Sequence, residues 1–259
     1  MFNNKDAERK TWTAEQYYTA ARALMDDHSW DAAAKLYEEL ESKYPYGLHA
    51  QQAQLDVAYV YYKQDSAEQA VAAAQKFVKL HPNHPNVDYA LYLRALANFR
   101  QDTGVIGRLV DQDLADRDVK SARASFEAFK ELVNRFPQSR YAADSRDRMA
   151  YLVEALARHE VRVARYYMGR KAWLAAANRA QDSIINFPHS PSRREALEIM
   201  IECYDRMGLK ELRDDTRRVL VVNYPEDPLT AANRNRTSSP DPIITYRSSV
   251  FASNSRTSP

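Results

Sequence analysis

Residues 186–198 read NFPHSPSRREALE: an aromatic residue, a proline, two polar residues and a second proline interrupt a chain otherwise written in helix formers. The phrase recurs as HPNHP at residues 81–85 and YPEDP at residues 224–228. A fixed-period repeat is the first thing to test in such a chain. The leading prolines are Pro45, Pro82, Pro137, Pro188 and Pro225, preceded by Tyr44, His81, Phe136, Phe187 and Tyr224, at intervals of 37, 55, 51 and 37 residues. The two equal intervals suggest a unit slightly longer than the 34-residue tetratricopeptide repeat.

Outward from each proline, residue types stay in phase. Five positions upstream lie Leu40, Phe77, Leu132, Ser183 and Leu220; eight upstream lie Tyr37, Ala74, Phe129, Ala180 and Arg217. Twenty-one upstream lie Leu24, Tyr61, Tyr167 and Tyr204, and twenty-four upstream lie Ala21, Ala58, Ala164 and Ile201, with the third unit skipped. Trp30 and Trp173 share a phase as well. The i, i+3 spacing puts the nearer positions on one helix face, and the Ala/Tyr rows pack small against large on a preceding helix. Proline ends the second helix of each pair, because it lacks an N–H and pushes the residue before it out of helical geometry. The second proline, at Pro85, Pro191 and Pro228, suits the first turn of the next helix. A single helical hairpin leaves an apolar face wet, and stacking buries it.

These patterns predict an all-α superhelical solenoid of five tetratricopeptide-like pairs: residues 13–43, 48–80, 86–135, 140–186 and 192–223. The first three pairs (13–137) form the N-terminal repeats and the last two (138–226) the C-terminal repeats. A helical stretch at residues 141–169, roughly 45 Å long at 1.5 Å per residue, is expected to link the halves. Residues 102–118 read as an insertion forming an ordered loop. Residues 1–12 and the polar tail 227–259 are expected to be disordered, since neither buries enough apolar area to offset ordering entropy. Within the tail, Ile243, Ile244, Tyr246 and Phe251 hint at local docking.

Composition narrows the function classes. Five glycines among 259 residues argue against an architecture of many tight β-turns. With 37 basic and 35 acidic residues the net charge is +2, so no nucleic-acid partner is expected. The single cysteine, Cys203, excludes an internal disulfide and a multi-cysteine zinc site; beside Met200, Ile201 and Tyr204 it reads as a packed residue. No apolar run approaches bilayer-spanning length, and the start MFNNKDAERK shows no signal core.

No catalytic, cofactor-binding or metal-ligating residues are assigned. Asp111, Asp113, Asp116 and Asp118 resemble the start of a calcium loop, but the glycine and glutamate such a loop needs are replaced by Asp116 and Ala122. His81 and His84 have no further ligands at metal spacing. Nucleophile elbow, phosphate-cradling loop and HExxH are all missing.

Two surfaces stand out instead. Arg158, Arg162, Arg165, Arg170, Lys171 and Arg179 lie within 22 residues that hold one acid, Glu160, and the first three share a helical stripe. A one-sign stripe suggests an acidic protein partner met by forked guanidinium contacts. Seventeen tyrosines include Tyr59, Tyr62, Tyr89 and Tyr92 on first helices, where rings and hydroxyls suit a groove for an extended peptide.

The stretches YPYGLHAQQAQLDVAYVYYK, HPNHPNVDYALYLRAL, ADRD with ARASFEAFKELVNRFPQSRYAADSRDRM, and VARYYMGRKAWLAAANRAQ together resemble the BamD family, tetratricopeptide-repeat lipoproteins of the β-barrel assembly machinery. The resemblance covers residues 12–226. It implies a lipid-anchored protein on the periplasmic face of the outer membrane. The implied partners are the POTRA domains of BamA, other lipoproteins of the machinery and unfolded outer-membrane protein precursors. On that resemblance Arg179 faces the last POTRA domain, bordered by Arg165, Arg170 and Lys171, and the precursor groove takes in Tyr59, Tyr62, Tyr89, Tyr92 and Arg94. The family's acylated N-terminal cysteine has no counterpart in this sequence, so the lipid is implied by the resemblance alone. The alternatives are a general repeat scaffold with another client and, in a different class, a cell-wall hydrolase, which would need paired carboxylates that are not identifiable here.

Overall fold

The computed structural model describes residues 11–102 and 116–225. The tail 227–259, residues 1–10 and the centre of the insertion, including Asp111 and Asp113, lie outside the described residues. Among the described residues the chain forms helices and no strands. The helices are α1 (Ala14–Asp26), α2 (Trp30–Lys43), α3 (Leu48–Lys63), α4 (Ala67–Leu80), α5 (Val87–Asp102), α6 (Asp116–Arg135), α7 (Ala142–Gly169), α8 (Trp173–Asn186), α9 (Arg193–Arg206) and α10 (Lys210–Asn223). Each packs against its sequence neighbours, and the first helices α1, α3 and α5 touch across the pairs, as do α7 and α9. This is the expected stack of five helical pairs.

The proline step works as its chemistry requires. Tyr44, His81, Phe136, Phe187 and Tyr224 each donate their N–H to the carbonyl four residues back, at 2.8–3.0 Å. The four whose torsions are given then leave helical geometry, with φ between −128° and −134°, because the following proline ring forbids the α region. The rows found by phase form the core. Leu40, Phe77, Leu132, Leu220 and Phe129 are fully buried, as are the alanines Ala21, Ala58 and Ala164.

Three expectations shift. Pro85 and Pro191 are not in a helical first turn. Each sits in a turn just before the helix, closed by Val87 N–H to His84 O and by Arg193 N–H to Ser190 O, both 3.1 Å, where a fixed φ suits the second turn position. Trp12, placed in the disordered N-terminal segment, packs against the first core cluster. Its ring meets Tyr17 edge-on at 5.3 Å and its carbonyl accepts from Tyr44 Oη at 2.7 Å. The insertion is shorter than residues 102–118, because α5 runs through Asp102 and α6 begins at Asp116.

One device has no sequence signature. Between the two helices of a pair, His28, Asp65, Lys171 and Gly208 all adopt positive φ (58° to 73°), each 17 residues before its proline. Left-handed backbone normally selects glycine, yet three of the four are not glycine. The turn geometry is therefore imposed by the packing of the flanking helices.

Candidate interaction surfaces

On the first three pairs, α1, α3 and α5 enclose a hollow of about 450 Å³ lined by Arg22, Met25, Asp26, His28, Trp30, Asp56, Tyr59 and Tyr89. Its floor is a buried carboxylate. Asp56, 7% exposed, accepts from Gln52 Nε2 at 2.8 Å, Tyr18 Oη at 3.0 Å and Tyr37 Oη at 3.4 Å. Burial raises its carboxyl above the usual range in spite of these donors. Burial, reinforced by Asp56, likewise raises the Tyr18 and Tyr37 hydroxyls. Along the wall, His28 stacks on Trp30 at 5.0 Å, Trp30 meets Tyr59 edge-on at 6.3 Å, and the Lys63 ammonium lies over both Trp30 and Tyr59. Arg22 supplies the cation at the rim, 3.5 Å from Asp26. The arrangement suits a ligand with an aromatic side chain and an anionic end.

The tyrosines picked from sequence divide. Tyr59 and Tyr89 line the hollow, and Tyr62 packs with them against Ala58, Ala74 and Leu93. Tyr92 turns toward α7 instead. It stacks on Tyr141 at 4.5 Å and donates to Asp144 at 2.7 Å; burial, then Asp144, raises its hydroxyl to about 12. Against a burial effect that would raise it, Asp144 is held below the ordinary carboxylate range by Arg148 and Tyr92. Arg94 lies elsewhere. It pairs with Glu131, which also takes Arg135 at 2.7 Å, and it lines a separate hollow of about 480 Å³ with Val71, Gln75 and Asn98. Arg22 and Asp56 have no counterpart in the sequence reading, and Trp30 enters it only as a repeat position. Arg22 has no distinctive spacing, and Asp56 is recognisable only as an acid on the apolar face of α3.

The basic stripe is not of one sign in three dimensions. Arg158 pairs with Glu154 of its own helix at 3.7 Å, and Arg165 pairs with Glu195 of α9 at 2.7 Å. Arg179, on α8, reaches the buried Glu160 of α7 at 3.2 Å, with Arg123 of α6 at 3.8 Å on the other carboxylate oxygen. Glu154 and Glu195 lie outside the basic window, and Glu160, inside it, meets Arg179 and Arg123 only across helices. Arg170 and Lys171 occupy the exposed turn between α7 and α8, with the Arg170 guanidinium 4.7 Å from the Tyr166 ring centre. Arg165, Arg170, Lys171 and Arg179 are all exposed on this pair.

The remaining candidates are structural. Cys203 is buried, and burial, then Glu202, pushes its thiol up to about 11, the environment of a packed residue. His81 lies 2.7 Å from Gln54 through Nε2, and His81 and His84 both pack against Phe77. Among the described residues no helix is long and apolar enough to cross a membrane.

A family model described as YfiO, outer membrane lipoprotein, matches residues 10–220. The chain is 47% identical over 226 residues to an outer membrane protein assembly factor BamD of Neisseria meningitidis serogroup A, covering 87% of this chain and 85% of that protein. It is 36% identical over 208 residues to the BamD of Vibrio cholerae serotype O1, covering 80% and 86%. Among solved structures, the crystal structure of MamA protein overlaps 88% of this chain and 98% of that one, with a TM-score of 0.37 and 14% identity.

Proposed function

The chain belongs to the YfiO outer membrane lipoprotein family, and from that premise we propose that it serves outer membrane protein assembly as a non-catalytic adaptor with two docking surfaces. Its relatives are named assembly factors for outer membrane proteins, and the chain acts in the same process, in association with the outer membrane. The finer reading assigns one client to each half of the solenoid.

The N-terminal hollow receives the C-terminal targeting segment of an unfolded precursor. The supporting observation is the aromatic wall of Trp30, Tyr59 and Tyr89 beside Arg22. A terminal aromatic ring finds apolar area and edge-on ring contacts there, and a terminal carboxylate finds a guanidinium. Tyr62 supports the wall from behind.

The fourth pair docks the POTRA domains of BamA through Arg165, Arg170, Lys171 and Arg179. Three of these sit on α7 or its following turn, and Arg179 projects from α8. The intramolecular pairs with Glu195 and Glu160 preset the guanidinium orientations, and an acidic partner surface competes for the exposed donors.

The test is titration of the full chain with a synthetic peptide ending in phenylalanine with a free carboxylate, alongside an amidated copy. Binding should weaken about tenfold on amidation and by a similar factor with Tyr89→Ala, about 1.4 kcal/mol each. Equal affinity of both peptides for both proteins would refute the groove assignment.

A further inference from the structure

The described residues expose ten large apolar side chains, and their distribution is uneven. In the first two pairs there are three: Tyr46 at 90%, Leu48 at 81% and Leu80 at 53%. All three lie at one edge of the solenoid. Tyr46 precedes α3, Leu48 opens it, and Leu80 closes α4. Because α3 and α4 run antiparallel, the start of one and the end of the other share an edge. The opposite edge of the same pairs, at residues 27–29 and 64–66, carries Asp27, His28, Ser29, Gln64, Asp65 and Ser66. One edge is therefore tipped with apolar side chains and the other is polar.

The apolar tip is rigidly presented. Gly47, between Tyr46 and Leu48, has φ of 102° and accepts the first helical bond of α3 from Gln51 N–H at 3.1 Å. That left-handed glycine turns the chain so that the side chains on both sides point away from the body. The same edge holds Trp12, anchored by Tyr44, and the exposed Lys43 and Lys79, three residues before Tyr46 and one before Leu80.

We infer that this edge, formed by Tyr46, Leu48 and Leu80, is a lipid-contacting surface that seats the first two pairs against the membrane. Solvent-exposed tyrosine and leucine side by side, flanked by Lys43 and Lys79, match the chemistry of a bilayer interface: amphipathic rings sit at headgroup depth and basic residues meet anionic headgroups. The family's description as an outer membrane lipoprotein supplies the surface. Contact at the tip is a second signal added to a lipid anchor, which strengthens attachment and fixes orientation. Orientation matters because the hollow of α1, α3 and α5 then opens at a set height from the bilayer. The inference rests on family membership and not on the peptide assignment, and its test contains no peptide.

The full chain, carrying an N-terminal hexahistidine extension, is tethered to vesicles of phosphatidylethanolamine and phosphatidylglycerol doped with nickel-chelating lipid, with or without brominated acyl chains. Tyr46→Trp and Leu48→Trp are the probes. Ala32→Trp, at the polar edge in the first turn of α2, is the control. Both probes should lose about half of their added emission in brominated vesicles, as interfacial aromatic residues do, while the control is unchanged. In untethered flotation, Tyr46→Ser with Leu48→Ser should reduce the vesicle-bound fraction severalfold with helical content intact. Probe emission indifferent to bromine, or quenching equal at residues 32 and 46, would overturn the inference; the first result would leave a protein partner as the occupant of the tip.

Discussion

The second and fourth pairs share one frame and differ in almost everything they show to solvent. In both, an aromatic-proline step closes the second helix, an alanine sits fully buried 24 residues earlier, and a non-glycine residue takes positive φ between the helices. Yet the second pair turns Tyr59 and Asp56 into a hollow, whereas the fourth covers its faces with arginines paired to glutamates. Even the core differs at matched phase. Phe77 fills a position that Ser183 occupies in the fourth pair, where its hydroxyl donates to Ala157 O at 3.3 Å. Stacking requires only that the phased positions be small or apolar enough to close the gap, so every other position is open to specialisation.

The largest contrast is predicted in the core. Phe77→Ala should cost about 3–5 kcal/mol through lost burial and a residual cavity. Ser183→Ala, at the same phase, should cost only about 1 kcal/mol for its lost hydrogen bond. Urea melts followed by circular dichroism measure both, and equal midpoint shifts would contradict the shared frame. Next in size is a separation of clients. Arg179→Glu places a second carboxylate beside Glu160 and should weaken BamA POTRA binding more than tenfold, above about 1.4 kcal/mol, while peptide affinity is retained. Tyr89→Ala should do the reverse. Joint loss of both activities in either variant would mean that the two surfaces are not separate.

A smaller effect tests the turns. Gly208→Ala meets no atom within 4 Å, so its cost is backbone strain alone, about 1 kcal/mol at positive φ. Lys171→Gly should be close to neutral or slightly stabilising, since relief of strain offsets the added freedom of the unfolded chain. The smallest effect is in pH. A carboxyl whose pKa is raised on folding, as at Asp56, favours the fold below the ordinary carboxylate pKa, and this contribution is lost as pH rises through the raised value. Asp144 and Glu131, whose values are lowered, contribute stability above the ordinary value that is lost as pH falls. Between about pH 4 and pH 7, stability relative to Asp56→Asn should therefore decline, while stability relative to Asp144→Asn should stay nearly level there and fall away below about pH 4. Parallel pH slopes would contradict the assigned environments.

Much of the frame was legible in the amino-acid order. Leu40, Phe77, Leu132 and Leu220 were placed in the core by counting back from prolines, and all are fully buried. Pro85 and Pro191 lie two residues ahead of their helices instead of in the first turn, because a fixed φ near −65° fits both a helical first turn and the second position of a β-turn. The surfaces were less legible. Tyr92 and Arg94 were grouped with Tyr59 and Tyr89, although Tyr92 meets Tyr141 and Arg94 meets Glu131, 37 residues away in sequence. A first helix carries side chains all round, and only its neighbours determine which of them face the same space.

By itself the order of residues determined the helices, their ends and the stacked pairing, because prolines and apolar spacing act within a few residues of where they stand. Tertiary structure alone decided that Asp56 lies buried beneath an aromatic wall, that a seemingly one-sign arginine stripe is balanced by Glu195 and Glu160, and that Tyr46, Leu48 and Leu80 share an edge. Burial, charge balance and the sharing of a face all depend on distances between helices far apart in sequence, and those distances exist only once the solenoid has closed.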